Sequence, residues 1–500
     1  MDNNQKRLPL AETLDGFLAG EPAYFCVPGH RFERGISPEL TARFGKGVFR
    51  YDLTEANGLD DLHAARGAIK EAQELAAQLY GADKSYFLVN GTSCGNEAML
   101  LACLRENEEV ILARNAHQSV ISGLILSGAK PVWVMPEYES EWGFYAQVEP
   151  EKIEKAFMEH PKAKAVMITS PTYYGVVSDI EAIAEICHKR GVPLLVDEAH
   201  GSHLYFYEKL PKGALAQGAD GVVMSSHKTI GAMTQSSMLH IKGERISRQR
   251  LEGALRMLMS SSPSYVLMTA LDAARQQMAL EGEVLLKRAL DLSLQLRQGL
   301  ERIDGVSVFG GSNPRELLKN KIDVTRVCFS ARQAGLSGFT LFEKMYESGR
   351  VSFEMADSEN LLAVITAANT PEDIERLLDT LQSVLLKEKE KKDESLQQSR
   401  RLKNLWQECG SEKILSKKIL SKKSPRNAFF AEKEEIPLKK SMGRVCCQSI
   451  APYPPGIPVI NPGEVISRET MDILELCLEG ELSVHSYGND DLHYIEVIKE

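Results

Sequence analysis

Two short apolar runs that end in chemically capable residues dominate this chain. Leu194-Leu195-Val196 ends in Asp197, with His200 and His203 just beyond it; Val222-Val223-Met224 ends in Ser225-Ser226-His227-Lys228. Runs this short, bounded by Gly and Pro, read as fully buried parallel strands. Ligands of such sheets collect just beyond the carboxyl ends of the strands. Asp197, His200 and Lys228 are therefore expected to face one crevice. A buried lysine opposite a buried carboxylate suits imine chemistry. The lysine bonds a carbonyl-bearing ring and the acid keeps the ring nitrogen protonated, which is the pairing that pyridoxal phosphate needs.

Other segments add to that pair. Gly91-Thr92-Ser93-Cys94-Gly95-Asn96 lies between a predicted strand and a predicted helix, where small residues let backbone N–H groups and the helix start hold a phosphate. An ordinary strand-to-helix turn would look the same; the segment gains weight because it precedes the Asp and the Lys at the spacing a cofactor domain needs. His117, in Ala113-Arg-Asn-Ala-His-Gln-Ser119, follows another predicted strand. It reads as a structural histidine or, with a ring in the crevice, as one that stacks on the ring face. Asp197 heads a DEAH string that also occurs in nucleic-acid-dependent ATPases, but the chain lacks the GxxxxGK[ST] phosphate loop that reading requires. His200 and His203 form HxxH without a third ligand nearby in sequence, so no metal is expected.

The elements that must position these residues follow from the pattern. Strands are expected at 85–89, 109–112, 131–135, 164–169, 193–196, 221–224 and 237–241, alternating with helices, one of them from about Cys94. That alternation means an α/β domain with a mostly parallel sheet. An N-terminal arm (1–45) with one short helix near Leu8–Leu18 precedes this large domain (46–303), which ends in a long helix from Ser264 to Ile303. A small α/β domain (304–386), a charged linker (387–423) and a small C-terminal domain (424–500) complete the chain. The last carries the proline-rich Ala451–Glu464, expected at the mouth of the active site. With 500 residues and a formal charge of −10, the chain supports several sizeable cores and argues against a general nucleic-acid binder. Nine cysteines without a CxxC pair suggest neither a zinc site nor a disulfide framework. The N-terminus lacks a signal peptide's apolar core and no run approaches spanning length, so a cytoplasmic protein is expected.

With these residues assembled, the chain resembles the Orn/Lys/Arg family of pyridoxal phosphate-dependent decarboxylases, on the fold type I, aminotransferase-like scaffold. The matching stretches are PGHRFERG, DLTEANGLDDLH, NGTSCGNEAML, ARNAHQSV, SPTYYGVVSDI, VDEAHGSH, SSHKTIG, SSSPSY, VSFEMAD and APYPPGIPVINPGE. They run in the family's order along nearly the whole chain, which is similar to the shorter members without an N-terminal receiver-like domain. The resemblance implies that Lys228 bonds the cofactor, Asp197 pairs with the pyridine nitrogen, His117 stacks on the ring and His200 sits near the ring oxygen. Thr92, Ser93, Cys94, Ser225 and His227 would surround the phosphate, with His227 or Lys228 returning a proton to Cα. The Ser260–Ser262 loop, Ser261 at its centre, looks like the segment that reaches a neighbouring subunit's phosphate, so at least a homodimer is implied. Cys94 stands where larger members carry a hydroxyl residue, which leaves its own phosphate contact open.

The substrate implied is a basic amino acid, arginine first, with lysine or ornithine as alternatives. Glu354 matches the family's substrate-side glutamate; Asp52 and Glu55 are further acids for the distal cation, or ordinary surface charges. An aminotransferase would use the same Lys and Asp with an arginine clamp for the α-carboxylate. A non-catalytic member of the fold would fail to bind the cofactor at all.

Overall fold

The computed structural model describes residues 3–390, 420–452, 456–479, 484–488 and 491–500. Most of the expected linker (391–419) and Tyr453-Pro454-Pro455 of the proline-rich segment lie outside the described residues. The chain divides into two compact units: residues 1–103, 187–208 and 212–284, and residues 104–186, 209–211 and 285–500.

The main sheet has seven strands: β1 (Lys84–Leu88), β2 (Glu109–Ala113), β3 (Lys130–Val134), β4 (Val166–Thr169), β5 (Leu194–Asp197), β6 (Gly221–Met224) and β7 (Ser237–Ile241). In the first unit the order is β1-β7-β6-β5. β5 and β6 are parallel, with Asp197 level with Val223. β7 runs antiparallel to both β6 and β1. Every residue of β5, β6 and β7 is buried, as short, largely apolar strands in the interior of a sheet should be. In the second unit β2 lies between β4 and β3 and is parallel to each. The sheet is thus mostly parallel, as expected, with β7 reversed. After β6 the chain makes only the short helix Ser226–Thr229 before turning back into β7, and such a connection returns a strand antiparallel.

The helix after β1 starts at Gly91 rather than near Cys94. Gly91 takes a left-handed φ of +74°, which lets the chain turn out of the strand and enter the helix at once. Gly95 brings that helix down on the sheet: a β-carbon there would lie 2.5 Å from Val223 Cγ2 and 2.9 Å from Leu88 Cδ1. The N-terminal segment carries helix Pro9–Ala19 as expected, and a further short helix, Pro38–Phe44, where little regular structure was expected; another, Gly47–Tyr51, follows it. Pro38 stands in the first turn behind Ser37, a start signal that the arm reading passed over.

The long helix Tyr265–Glu301 contributes its first part to one unit and its remainder to the other. In the second unit a four-stranded sheet, in the order Ser307–Val308, Arg326–Ser330, Leu361–Val364, Met355–Ala356, packs with helices Gly338–Gly349 and Pro371–Glu390. Leu296, Phe329, Leu341, Met345 and Leu381 are in its core. The C-terminal part pairs Lys433–Pro437 with Tyr494–Ile498 over a core that includes Cys446, Ile466, Leu474 and Val497. Among the described residues no helix is long and apolar enough to cross a membrane.

Candidate active site

The two parallel strands β5 and β6 deliver the central side chains at one edge of the sheet. Asp197 is the last residue of β5. Beyond it the chain folds into a tight turn, with Ala199 N–H donating to Asp197 Oδ1 at 3.2 Å and Gly201 N–H to Glu198 O at 2.9 Å. This turn carries His200, which like Asp197 is 3% exposed. Beyond β6, Lys228 N–H donates to Ser225 O at 3.1 Å to begin the helix Ser226–Thr229. The half-buried Lys228 then reaches His200: Nζ lies 3.2 Å from Nε2. His227 on the same turn has its Nδ1 3.0 Å from Ser236 O. A carbonyl only accepts, so Nδ1 carries the proton.

Asn96, to which sequence reading gave no role, donates from Nδ2 to Asp197 Oδ2 at 2.8 Å. It is 1% exposed on the helix Gly91–Cys103, and both carboxylate oxygens of Asp197 thereby have N–H donors. At the start of that helix, Thr92 Oγ1 lies 3.2 Å from Ser225 Oγ. Ser93 is exposed. The Cys94 thiol donates to Gly91 O at 3.1 Å, and burial pushes its pKa up to about 12, so it stays neutral. Near Lys228, the hydroxyls of Ser226 and Thr229 are buried with no hydrogen-bond partner among the described residues. Hydroxyls without partners, a helix start, a buried carboxylate and an amine together form a set of polar groups suited to a phosphorylated pyridine aldehyde.

Glu198 is fully buried beside Asp197. Burial pushes its carboxyl up to about 8 against the opposing pull of the Tyr205 hydroxyl and the Ala214 N–H, which donate to it at 2.6 and 2.7 Å. It supports the turn after β5 and carries no charge in that state.

The remaining expected residues are described each within its own unit. Ser261, Asp52 and Glu55 belong to the first unit. Ser261 is exposed, and its neighbour Ser260 has its carbonyl 2.8 Å from His63 Nε2. Asp52 Oδ2 is 3.2 Å from His30 Nε2. Glu55 is exposed and accepts from the Thr54 hydroxyl. His117 and Glu354 belong to the second unit. His117 caps the helix Gln118–Ser127, its Nδ1 accepting from Ser119 N–H at 3.2 Å. Glu354 is exposed, and its backbone N–H donates to Leu362 O at 3.0 Å. Among the described residues no group of three or more His, Cys, Asp or Glu is arranged to hold a metal ion.

Comparison with known proteins bears on the family and the fold. The family model for the Orn/Lys/Arg decarboxylase major domain matches residues 8–360, and that for the Orn/Lys/Arg decarboxylase C-terminal domain matches residues 404–482. The arginine decarboxylase of Bacillus subtilis (strain 168) is 35% identical over 497 residues, covering 99% of each chain. The arginine decarboxylase of Halalkalibacterium halodurans is 33% identical over 498 residues, covering 100% of this chain and 99% of that protein. The crystal structure of the Francisella novicida lysine decarboxylase has the same fold, with a TM-score of 0.84 at 21% identity over 99% of this chain and 82% of that one. Both family models match in order, the B. subtilis relative aligns from end to end, and the α/β architecture is the one expected of fold type I: the chain belongs to the Orn/Lys/Arg decarboxylase family.

Proposed function

We propose that the chain binds pyridoxal phosphate through Lys228 and decarboxylates a basic amino acid, arginine, to agmatine and CO2. The observation that carries this reading is the convergence at the β5 and β6 ends, where the Lys228 amine stands 3.2 Å from His200 and the buried Asp197 carboxylate closes the adjacent strand. Arginine is favoured because relatives that align along the whole chain at 33% and 35% identity are arginine decarboxylases. The lysine decarboxylase structure, at 21%, speaks for the fold alone.

Pyridoxal phosphate, when bound, supplies an electron-poor ring that takes up the electron pair left at Cα as CO2 departs. Asp197, its two oxygens held by Asn96 and the Ala199 N–H, presents a fixed negative charge toward the ring nitrogen and keeps a proton there. Lys228 would hold the cofactor through Nζ. The Lys228 amine, or His227, would return a proton to Cα. His200 orients the Lys228 amine and would serve the ring-oxygen side of the cofactor. Thr92, Ser225 and His227, with the backbone at Ser93 and Cys94, hold the phosphate at the helix start. Cys94 offers no thiol contact there, since its S–H is committed to Gly91 O. His117 would stack on the ring face. Glu354 receives the distal guanidinium, whose planar fork matches a carboxylate in two hydrogen bonds; Asp52 and Glu55 are further acids for it. The active form is at least a homodimer, with Ser261 reaching the partner's phosphate, and the protein is cytoplasmic.

The test is to offer the purified protein, with cofactor, arginine, lysine and ornithine separately and to identify the products by mass. Agmatine with CO2 release is expected from arginine. An α-keto acid without CO2, or no change in visible absorbance when cofactor is added, would refute the reading.

A further inference from the structure

Arg114 is an arginine that the chemistry above leaves unused. It follows the last residue of β2 in the segment that leads to His117, yet its guanidinium turns into the C-terminal part of the same unit. Nη1 donates to Pro458 O at 2.7 Å, and Nη2 donates to Val459 O at 3.0 Å and lies 3.4 Å from Glu464 Oε2. The guanidinium also sits 5.2 Å from the centre of the Trp133 ring. The paired side chains are nearly sealed from water, at 5% and 6% exposed. Glu464 is in turn tied to its own loop, with Oε2 accepting from Asn461 N–H at 2.9 Å and Oε1 from Asn461 Nδ2 at 3.3 Å.

A second tether lies just past His117. The Tyr487 hydroxyl donates to Gln118 O at 2.7 Å and is 2.5 Å from Ser122 Oγ. The turn that presents His117 is thus held on both sides by residues of the C-terminal segment. His117 itself is fixed by its cap bond to Ser119, so the ring moves with the start of the helix Gln118–Ser127 and with whatever holds that start.

We infer that Arg114 and Glu464 are positioning residues through which the C-terminal segment sets the height and tilt of the His117 ring. This rests on the reading of His117 as the residue stacked on the cofactor. A buried pair of this kind is a weak source of net stability, but removal of one partner leaves the other charge uncompensated and the loop free to shift. A strut that merely docks two parts of the unit would alter stability alone. A positioning pair alters the ring's environment and the rate.

The experiment compares full-length holoenzyme with Arg114→Lys, Glu464→Gln and Tyr487→Phe. It reads kcat and KM for arginine, the visible circular dichroism of bound cofactor, and thermal melting. Lysine at 114 keeps the charge but loses the fork, and kcat is expected to fall ~10- to 100-fold with a smaller change in KM, together with altered ellipticity in the cofactor band. Glu464→Gln moves the same readouts in the same direction. Tyr487→Phe, which removes only a hydroxyl and keeps the test sound if a charge variant fails to fold, lowers kcat ~2- to 10-fold. Folded variants that melt lower yet keep wild-type kcat and ellipticity would overturn the inference alone. A wild-type holoenzyme that releases no CO2 from any of the three amino acids would overturn the functional reading and this inference with it.

Discussion

The Asn96 amide donates to Asp197 Oδ2 at 2.8 Å, and through that bond the helix Gly91–Cys103 aims the carboxylate at the end of β5. One helix thus does two things in the proposed site: its first residues face the phosphate, and its interior orients the acid. Asp197→Asn should lower kcat ~10²- to 10³-fold, the scale for loss of one preorganised charge partner. Asn96→Ala, acting through Asp197, should cost ~10- to 100-fold. Steady-state kinetics with direct CO2 detection measures both. An Asn96 variant slower than the Asp197 variant would reverse the assigned order.

Glu198 gives a pH test that is independent of catalysis. Its ordinary value is 4.5 and burial raises it to about 8 in the folded protein. Below the unfolded value both states hold the proton, and the contribution to stability is fully present. As pH rises toward and through about 8 the unfolded chain has already released its proton, and that contribution is lost. Glu198→Gln removes the titration while its amide still accepts from Ala214 and meets the Tyr205 hydroxyl. Wild-type stability relative to the Gln variant should fall by ~2–5 kcal/mol between about pH 5 and pH 9, read as the divergence of melting temperatures. Parallel melting curves across that range would contradict the buried, neutral Glu198.

Gly95→Ala tests the contact between the same helix and the sheet. The added methyl would meet Val223 Cγ2 at 2.5 Å and Leu88 Cδ1 at 2.9 Å, so helix or strand must shift. Overpacking of this kind costs ~1–3 kcal/mol. Cofactor affinity should weaken alongside, because Thr92 and Asn96 ride on that helix. Urea unfolding and cofactor titration measure the two effects; unchanged affinity in a destabilised variant would separate the helix from the phosphate.

Glu354→Gln separates binding of the distal cation from the chemistry. Loss of the charge should raise KM for arginine by ~10-fold or more, about the value of a charged hydrogen bond, with a smaller change in kcat. Wild-type KM in this variant would shift the role to Asp52 or Glu55, whose variants are measured in the same series.

Much of this arrangement was legible in the chain itself, for definite reasons. Strands Gly221–Met224 and Ser237–Ile241 were readable to the residue because both are short, largely apolar stretches bounded by polar residues. Lys228 and Asp197 could be assigned to one edge because consecutive parallel strands finish on the same side. Strand direction was less legible: alternation says nothing of the reversal at β7, which comes from the short return after Lys228. The helix start at Gly91 was hidden by residues that are poor helix formers in isolation; their small size is what the close approach to Val223 requires. Asn96 was silent because an asparagine in a helix resembles a solvated residue until its partner, 101 positions away, is folded against it. Arg114 was silent for the same reason, its acceptors being carbonyls of Pro458 and Val459.

The covalent attachment at Lys228 can be tested directly. Holoenzyme is reduced with borohydride, digested, and the peptide carrying the cofactor mass is sequenced, with Lys228→Ala treated in parallel. The expected result is a single labelled peptide with the modification on Lys228 in the wild type, and neither label nor CO2 release in the variant. A label on a different lysine, or undiminished CO2 release by Lys228→Ala, would contradict it.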